Sequence, residues 1–151
     1  MSQQLKFIAS VFKMAMKELV NVMGPESVQT VFRLMGEEIG KAYERRLRLK
    51  YKVDKSKTEE YVDHLLKDII EPGLGEGLAE YKIDNKEITI IIKVCPFRRA
   101  GIKISDKLYC TYTEGMIETA LKTALGDIDF KTERLIADKN PDCIFKIKIK
   151  Q

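Results

Sequence analysis

A change in hydrophobic period near residue 79 constrains the fold of this chain more than any other feature. Over residues 5–22, 28–47 and 61–70, apolar side chains recur at steps of three and four residues, which is the spacing of one helical face. Over residues 79–84 the step becomes two, because apolar residues alternate with charged ones as in a half-buried strand. The sequence therefore predicts a helical N-terminal third followed by a unit that contains a sheet.

The second half of the chain supplies four strand segments and one long helix. The turn "DNK" joins the first segment to "EITIIIKV", and "DKNPD" joins "DIDFKTERLIA" to "CIFKIKIK". Between these pairs lies "KLYCTYTEGMIETALKTALG", which again has helical spacing. We predict an α+β fold, with an antiparallel sheet of about four to five strands and helices packed on it. A single domain over 1–151 is expected, in which the helices of 1–72 pack on, or dimerise with, the ββαββ unit of 73–151.

Several residues predict where helices begin and what lies beside them. Pro25 suits the first position of the second helix, and Ser56 with Glu59 has the spacing of a capping box at the start of the third. Gly36 and Gly40 lie one turn apart in the second helix, where each glycine costs about 1 kcal/mol relative to alanine. We therefore expect a close neighbour at this notch, either another helix or a second subunit.

The composition excludes several classes of protein. With 44% hydrophobic and 33% charged residues, the chain is neither disordered nor fibrous. Its formal charge of +4 is modest, and the basic run from Arg45 to Lys57 is attributed to a solvated helix end, so nucleic acid is not expected as a partner. Lys13, Lys17 and Glu18 interrupt the apolar N-terminus too early for a leader peptide, and no membrane span is expected. The odd number of cysteines argues against a disulfide scaffold and therefore predicts a protein of the reducing cytoplasm.

Three cysteines, Cys95, Cys110 and Cys143, are candidate site residues. On a helical wheel Cys110 falls about 20° from Ile117, near the centre of the buried face. Cys143 shares the apolar parity of the last strand, so these two thiols are expected to face one interior layer, with Cys95 at a strand end able to join them. Free cysteines can fill a core, or they can bind zinc, which needs about four ligands in a tetrahedron. No C-x-x-C pair is present and His64 is the only histidine, so both interpretations stay open at this point.

Several of these motifs, taken in order, resemble a known family. "CTYTEG", "ALG" later in the same helix, Glu133 in a strand and "PDCIFKI" are similar to the C-terminal signature of the 4-vinyl-reductase-like, or hydrocarbon-binding, small-molecule-binding domains. The similarity covers roughly residues 30–150 and includes the helix with Gly36 and Gly40, "GLGEG" and "CPF". The resemblance implies a sheet covered by helices, a ligand between the two layers, and often a dimer formed through the helices. It also implies a likeness in fold to the palmitate-binding core subunits of the TRAPP vesicle-tethering complex and, more distantly, to haem-based nitric oxide sensors.

The resemblance also implies a metal site. The family's cysteines are candidate metal ligands and match all three cysteines of this chain, with zinc as the implied cofactor. Leu135 or Ile136 stands where the commoner pattern has a further cysteine, and "DKNPD" replaces a glycine turn. One more donor would have to complete the coordination, from Glu133, His64, water or a bound ligand.

These observations lead to three hypotheses about function. In the first, the chain is a non-enzymatic module that binds an apolar or amphipathic, hydrocarbon-like molecule between the fourth helix and the sheet, and forms a homodimer through its N-terminal helices. The expected binding residues are Tyr109, Thr113, Ile117, Phe130 and Phe145, with Arg98 at the mouth of the pocket. In the second, the chain is an enzyme of the vinyl-reductase or hydrolase type, although the sequence shows no base beside Cys110. In the third, it is a dimeric interaction protein, joined through the helix with the two glycines, and its pocket is vestigial.

Overall fold

The chain begins with two long helices, and a computed structural model describes residues 2–52, 57–104 and 107–150. Helix α1 is Gln3–Met23 and helix α2 is Pro25–Tyr51. Helix α3 (Thr58–Leu65) continues through one π-helical turn (Leu66–Ile70) into the short α4 (Glu71–Leu74). The remaining elements are β1 (Ala79–Asp84), β2 (Glu87–Ile92), the short α5 (Pro96–Arg99), α6 (Leu108–Leu125), β3 (Ile128–Arg134), a 3-10 turn (Ile136–Asp138) and β4 (Cys143–Ile149).

The four described strands form one antiparallel sheet in the order β1-β2-β4-β3. The central pair sets the register, since Ile90 lies opposite Phe145 and Ile88 lies opposite Ile147. All four side chains are buried, while the intervening Lys146 and Lys148 lie on the other face. The predicted α+β fold with an antiparallel sheet under helices is confirmed.

One main core fills the space between the inner face of the sheet and the helices. Residues from α2, α3, the π-helical turn, α4 and α6 meet the sheet there, and Val62, Leu65, Ile117 and Leu121 have no exposed surface. Complete burial of an aliphatic side chain of this size stabilises the fold by about 1.5–3 kcal/mol. The hydrophobic stripes of α6 and of α3 with its π-helical turn therefore build this core, whereas the stripe that predicted α1 takes no part in it.

Helix α6 is the close neighbour of the glycine notch in α2. A β-carbon at Gly36 would overlap the backbone of Tyr112, and one at Gly40 would lie 2.5 Å from the carbonyl oxygen of Met116. Gly115 mirrors this arrangement on α6, because a β-carbon there would lie 2.7 Å from the carbonyl oxygen of Arg33. The partner of this helix face is therefore a helix of the same chain, and the face is not available to a second subunit.

The predicted start of α2 fits the structure, whereas its predicted end does not. Ser2 caps α1 by accepting a hydrogen bond from the amide of Leu5, at 3.3 Å, and Pro25 opens α2 as expected. Helix α2 runs on to Tyr51, so most of the basic segment forms its last turns. The proposed cap residue Ser56 lies outside the described residues.

The glycines of "GLGEG" end α4 and turn the chain toward β1. Gly75 has φ +122° and Gly77 has φ +74°, a region that L-residues with side chains rarely adopt. The segment is thus a helix stop and a turn that leads into a strand, whereas a phosphate-binding loop would follow a strand and begin a helix.

A smaller apolar group, here called the second cluster, joins α1 to the body of the domain. Its buried members come from α1, α2 and the start of α6: Met16, Val28, Phe32, Leu108 and Tyr109. Met16 is the only buried residue of α1. Within the described residues, no helix is both long and apolar enough to cross a membrane.

Candidate functional site

An apolar cavity of about 200 Å³ lies between the N-terminal half of α6 and one end of the sheet. The π-helical turn, α4 and α5 supply further parts of its wall, and the cavity is partly open to solvent. Seven of the lining residues lie on α6, on β4 or shortly after β2: Tyr109, Cys110, Tyr112, Thr113, Cys143, Phe145 and Cys95. Among the described lining residues none carries a charge, so the cavity suits an uncharged molecule.

The structure brings all three cysteines to this cavity. Cys110 lies on α6, Cys143 begins β4, and Cys95 precedes Pro96 at the start of α5. All three are free and half-buried. The sulfur of Cys143 accepts a hydrogen bond from the amide of Ile136 at 3.3 Å, which holds it against the 3-10 turn. The two thiols that were expected to face one interior layer therefore line one cavity, and Cys95 joins them.

The local environment keeps the thiols of Cys110 and Cys143 protonated. Burial, reinforced by the neighbouring thiols of Cys143 and Cys95, raises the pKa of Cys110 to about 12. Burial also raises the pKa of Cys143, against the opposing effect of the Ile136 amide. Neutral thiols behave as small hydrophobic groups, so at neutral pH these two add apolar wall to the cavity.

The donor groups around the cavity do not fit a zinc centre. The described residues contain no group of three or more His, Cys, Asp and Glu side chains placed to hold a metal ion. Glu133 is exposed on β3, where it lies 3.8 Å from Lys146, and His64 stacks on Tyr51 with ring centroids 3.5 Å apart. Leu135, at a position considered for a further cysteine, is an apolar part of the cavity wall. The cysteines are therefore better described as lining than as a ligand set.

Tyr109 links the cavity to the second cluster. Its buried ring stacks on Phe97 at 4.7 Å between centroids and meets Phe32 edge-on at 5.2 Å. On its outer side lies Phe12 of α1, at 6.1 Å. Because aromatic rings in such contacts hold one another in place, Tyr109 is a rigid wall with α1 behind it.

The other residues predicted to bind a ligand divide between the cavity and its surroundings. Thr113 and Phe145 line the cavity together with Tyr109. Ile117 lies one turn further along α6 in the main core, and Phe130 stacks on Phe145 from β3 at 5.7 Å without lining the cavity. Arg98 is exposed on α5 and is not among the lining residues.

Several lining residues were not anticipated from the sequence. They come from α2, the π-helical turn, α4 and the neighbouring face of α6: Tyr43, Ile69, Ile70, Leu74, Tyr112 and Met116. The helical stripe that assigned Ile69 and Ile70 to a buried face was the only available signal. It could not show that the π-helical turn brings both of these neighbours into one wall.

A larger groove of about 910 Å³ lies elsewhere, between α3 and the β1–β2 turn. It is open to solvent, and its lining includes Glu59, Asp63 and Lys86 beside Tyr81. This groove is a charged surface and lacks the enclosure that an apolar ligand requires.

The fold and the cavity define a class of protein: an antiparallel sheet covered by helices, with an uncharged cavity between the two layers. The family model that matches is Methanogen output domain 1, over residues 11–148, and the chain belongs to this family. The matching model is thus not that of the 4-vinyl-reductase-like domains, and the resemblance to those domains stays a prediction. A search of curated proteins gave no significant match.

Solved structures with low sequence identity share the fold. A trafficking protein particle complex subunit 3 from Naegleria fowleri, covalently bound to palmitic acid, has a TM-score of 0.65 at 14% identity, covering 98% of this chain and 96% of that one. An H-NOX protein from S. oneidensis in the Fe(II)NO ligation state has a TM-score of 0.52 at 11% identity, covering 92% and 72%. The phenol-responsive sensory domain of the transcription activator PoxR, with phenol, has a TM-score of 0.51 at 14% identity, covering 96% and 74%. At these identities the similarity establishes the fold and nothing more.

Proposed function

We propose that this domain binds one small, neutral, largely apolar molecule in the cavity between α6 and the sheet. The observation that carries the proposal is a partly enclosed cavity of about 200 Å³ whose described lining is apolar, thiol and hydroxyl, without charge. The expected binding residues are Tyr109, Thr113 and Phe145, with the three thiols as apolar wall.

The size of the cavity limits the ligand. An apolar cavity of roughly 150 Å³ in an engineered protein stays dry and admits benzene, so a space of about 200 Å³ suits a molecule with one ring or a short branched chain. A ligand of seven or eight non-hydrogen atoms that gains somewhat less than 1 kcal/mol per atom would bind with a Kd on the order of 0.1 mM.

The polar groups in the wall can orient such a molecule. The hydroxyl groups of Tyr43, Tyr112 and Thr113 belong to residues that line the cavity. Burial, with a smaller contribution from Tyr43, raises the pKa of Tyr112, so its hydroxyl stays protonated at neutral pH and can both donate and accept a hydrogen bond. A carboxylate would meet no fixed positive charge among the described lining residues, so charged ligands are disfavoured.

Two of the structural neighbours are consistent with this proposal. The PoxR domain was solved with phenol, and the trafficking subunit with palmitic acid. In this chain the cavity volume favours a ligand nearer in size to phenol than to palmitic acid.

The proposal is tested by thermal denaturation and isothermal titration calorimetry with phenol, toluene and benzoate as probes. At ten times its Kd, a ligand that binds only the folded state stabilises it by roughly 1.4 kcal/mol, a rise in Tm of about 3–5 °C for a chain of this length. Phenol or toluene should give this rise and benzoate should not. Absence of any shift or heat with both neutral probes would contradict the proposal.

A matched pair of variants locates the binding site. Thr113→Leu puts a larger side chain into the cavity, whereas Thr123→Leu makes the same change on the exposed side of α6. Each threonine hydroxyl donates a hydrogen bond to a backbone carbonyl one turn earlier, at 3.5 Å and 2.7 Å respectively. Thr113→Leu should abolish the phenol response and Thr123→Leu should retain it. A Thr113→Leu protein that still binds phenol would place the site elsewhere.

The enzyme hypothesis is less well supported. Nucleophilic catalysis needs a thiolate, and burial raises the pKa of Cys110 to about 12. A zinc-dependent role is likewise not part of the proposal, because the donor arrangement does not fit a metal centre. A homodimer through the N-terminal helices remains our expectation.

A further inference from the structure

Helix α1 carries far more apolar surface than its contact with the domain uses. Only Met16 is buried, although the helix contains large apolar residues along its whole length. Those that stay exposed are Leu5, Phe7, Ile8, Val11, Phe12, Met14, Leu19, Val22 and Met23. A helix whose apolar stripe is much wider than one contact has a second surface to bury.

The exposed residues include a strict heptad pattern, here called the seam. Its members alternate at steps of three and four residues and are Leu5, Ile8, Phe12, Ala15, Leu19 and Val22. All six are exposed, from 37% at Phe12 to 82% at Val22 among the large side chains. This spacing of 3.5 residues keeps one line of side chains facing a parallel neighbouring helix, which is the requirement for knobs-into-holes packing. A membrane surface or a single groove does not require it.

The charges on α1 permit pairing of two identical helices. Lys6, Lys13 and Lys17 occupy the heptad positions away from the seam. Beside the seam the residues are mostly uncharged, and Glu18 is the one exception within α1, which is described throughout. Two copies can therefore bring their seams together without placing like charges in a row.

The area is sufficient for a specific contact. Large apolar side chains at these exposures present on the order of 100 Å² each, so the residues in and beside the seam offer most of the roughly 800 Å² per partner that a standard interface buries. Helix α2 adds Val31, Leu34 and Met35, which are also exposed. The helix is held in place by Met16 in the second cluster and by Phe12 against Tyr109, so the seam is a preformed surface.

We propose that the seam of α1 binds the same seam of a second copy of this chain, as a two-helix coiled coil. This surface differs from the glycine face of α2, which α6 covers within the chain. The interface is tested without ligand, so its failure would leave the binding proposal untouched.

Sedimentation velocity of the full chain over 1–200 µM tests the interface. The unmodified chain should be dimeric at the upper concentrations. Ile8→Glu combined with Leu19→Glu places charges in the seam at exposed positions, and should weaken the dimer at least 100-fold with an unchanged circular dichroism spectrum. Phe7→Glu combined with Met14→Glu adds the same charges to the same helix off the seam, and should leave the dimer in place. A monomer throughout the range, or a dimer that both double variants retain, overturns the proposal.

A crosslink provides a measurement that does not depend on charge. Ala15→Cys lies in the seam near the middle of α1, so oxidation should join two copies in either helix orientation, whereas Met14→Cys should not. The unmodified chain is the control for crosslinks through its own three cysteines. Cosedimentation with phosphatidylcholine and phosphatidylglycerol vesicles tests the competing partner: if the unmodified chain is monomeric and the seam variant loses vesicle binding, the seam faces a membrane and the proposal is wrong.

Discussion

The two halves of α6 lie on the same sheet but pack against it differently. In the C-terminal half, Ile117, Ala120 and Leu121 have no exposed surface and meet a continuous aliphatic core. In the N-terminal half, Cys110 and Thr113 line a cavity of about 200 Å³. One helix and one sheet thus enclose a solid layer at one end and a hollow one at the other.

The contrast between the two halves follows the residues that α6 presents to the sheet. In the C-terminal half these include Ile117, which packs in the same core as Ile88 and Ile147. In the N-terminal half they include a thiol and a hydroxyl, near a strand that begins with Cys143, while α4, α5 and Ile104 supply other parts of the wall. Small uncharged side chains on a helix and a strand thus contribute to a binding site whose wall the neighbouring segments complete.

Replacement of one aliphatic residue in the packed half should have the largest effect on stability. Ile117→Ala removes a fully buried side chain and should lower the free energy of unfolding by about 4 kcal/mol. Cys110→Ala, in the hollow half, should cost less than about 1 kcal/mol, since space is already present beside it. Urea unfolding followed by circular dichroism measures both, and equal losses would refute the contrast between the two halves.

The second-largest loss of stability is expected where α2 packs closely against both halves of α6. Gly36→Ala forces a methyl group into the backbone of Tyr112 and should destabilise the protein by about 3 kcal/mol. Gly73→Ala is the control, because a β-carbon there meets nothing within 4 Å and alanine is the better helix former. Thermal denaturation measures both variants. If both have the Tm of the unmodified protein, the helices are not in backbone contact at Gly36.

The reactivity of Cys110 should show that the hollow half is also a desolvated one. With its pKa raised to about 12, the thiol carries very little thiolate at pH 7.5, so iodoacetamide should modify it about 100-fold more slowly than free cysteine. The rate should rise about tenfold per pH unit and go on rising above pH 9, because the thiolate fraction grows until the pH reaches the raised pKa. Peptide mass spectrometry assigns the site, and rapid labelling at neutral pH would show a solvated thiol.

Loss of an ion pair that lies outside α6 should have the smallest effect on stability. Lys50 donates to the carboxylate of Asp68 at 2.7 Å and the Tyr51 hydroxyl donates at 2.6 Å, which together lower the pKa of Asp68. A lowered pKa in the folded state stabilises the protein at neutral pH. That contribution begins to fall as pH drops into the usual carboxyl range and is gone only below the lowered pKa of the folded state. Asp68→Asn should therefore cost at most about 1 kcal/mol at pH 7 and less at pH 3. A loss of stability as large at pH 3 as at pH 7 would have another cause.

The sequence was sufficient to predict the fold because its periods are long and consistent. Helical spacing predicted the long helices, and the strand patterns predicted both strand pairs and the inward direction of Cys143 and Phe145. The wheel position of Cys110 indicated which side of α6 meets the sheet, and that side lines the cavity.

The limits of the cavity could not be predicted, since they depend on tertiary packing. Ile117 and Thr113 share one face of α6, and only the residues opposite them make one a core residue and the other a lining residue. The glycine notch predicted a close neighbour without naming it, and α6 and a second subunit satisfied the pattern equally well. The short α5 gave no periodic signal, because four residues complete a single turn.

The π-helical turn of Leu66–Ile70 has a consequence for how this wall could change. One residue more than an ordinary turn is accommodated there, so all side chains downstream are rotated by about 100° from where an uninterrupted helix would aim them. Deletion of Lys67 would let a regular helix form here while Leu74 kept its direction, because the lost residue and the lost offset cancel. A substitution that made the stretch regular without shortening it would instead rotate Leu74 away from the chamber and alter its contour.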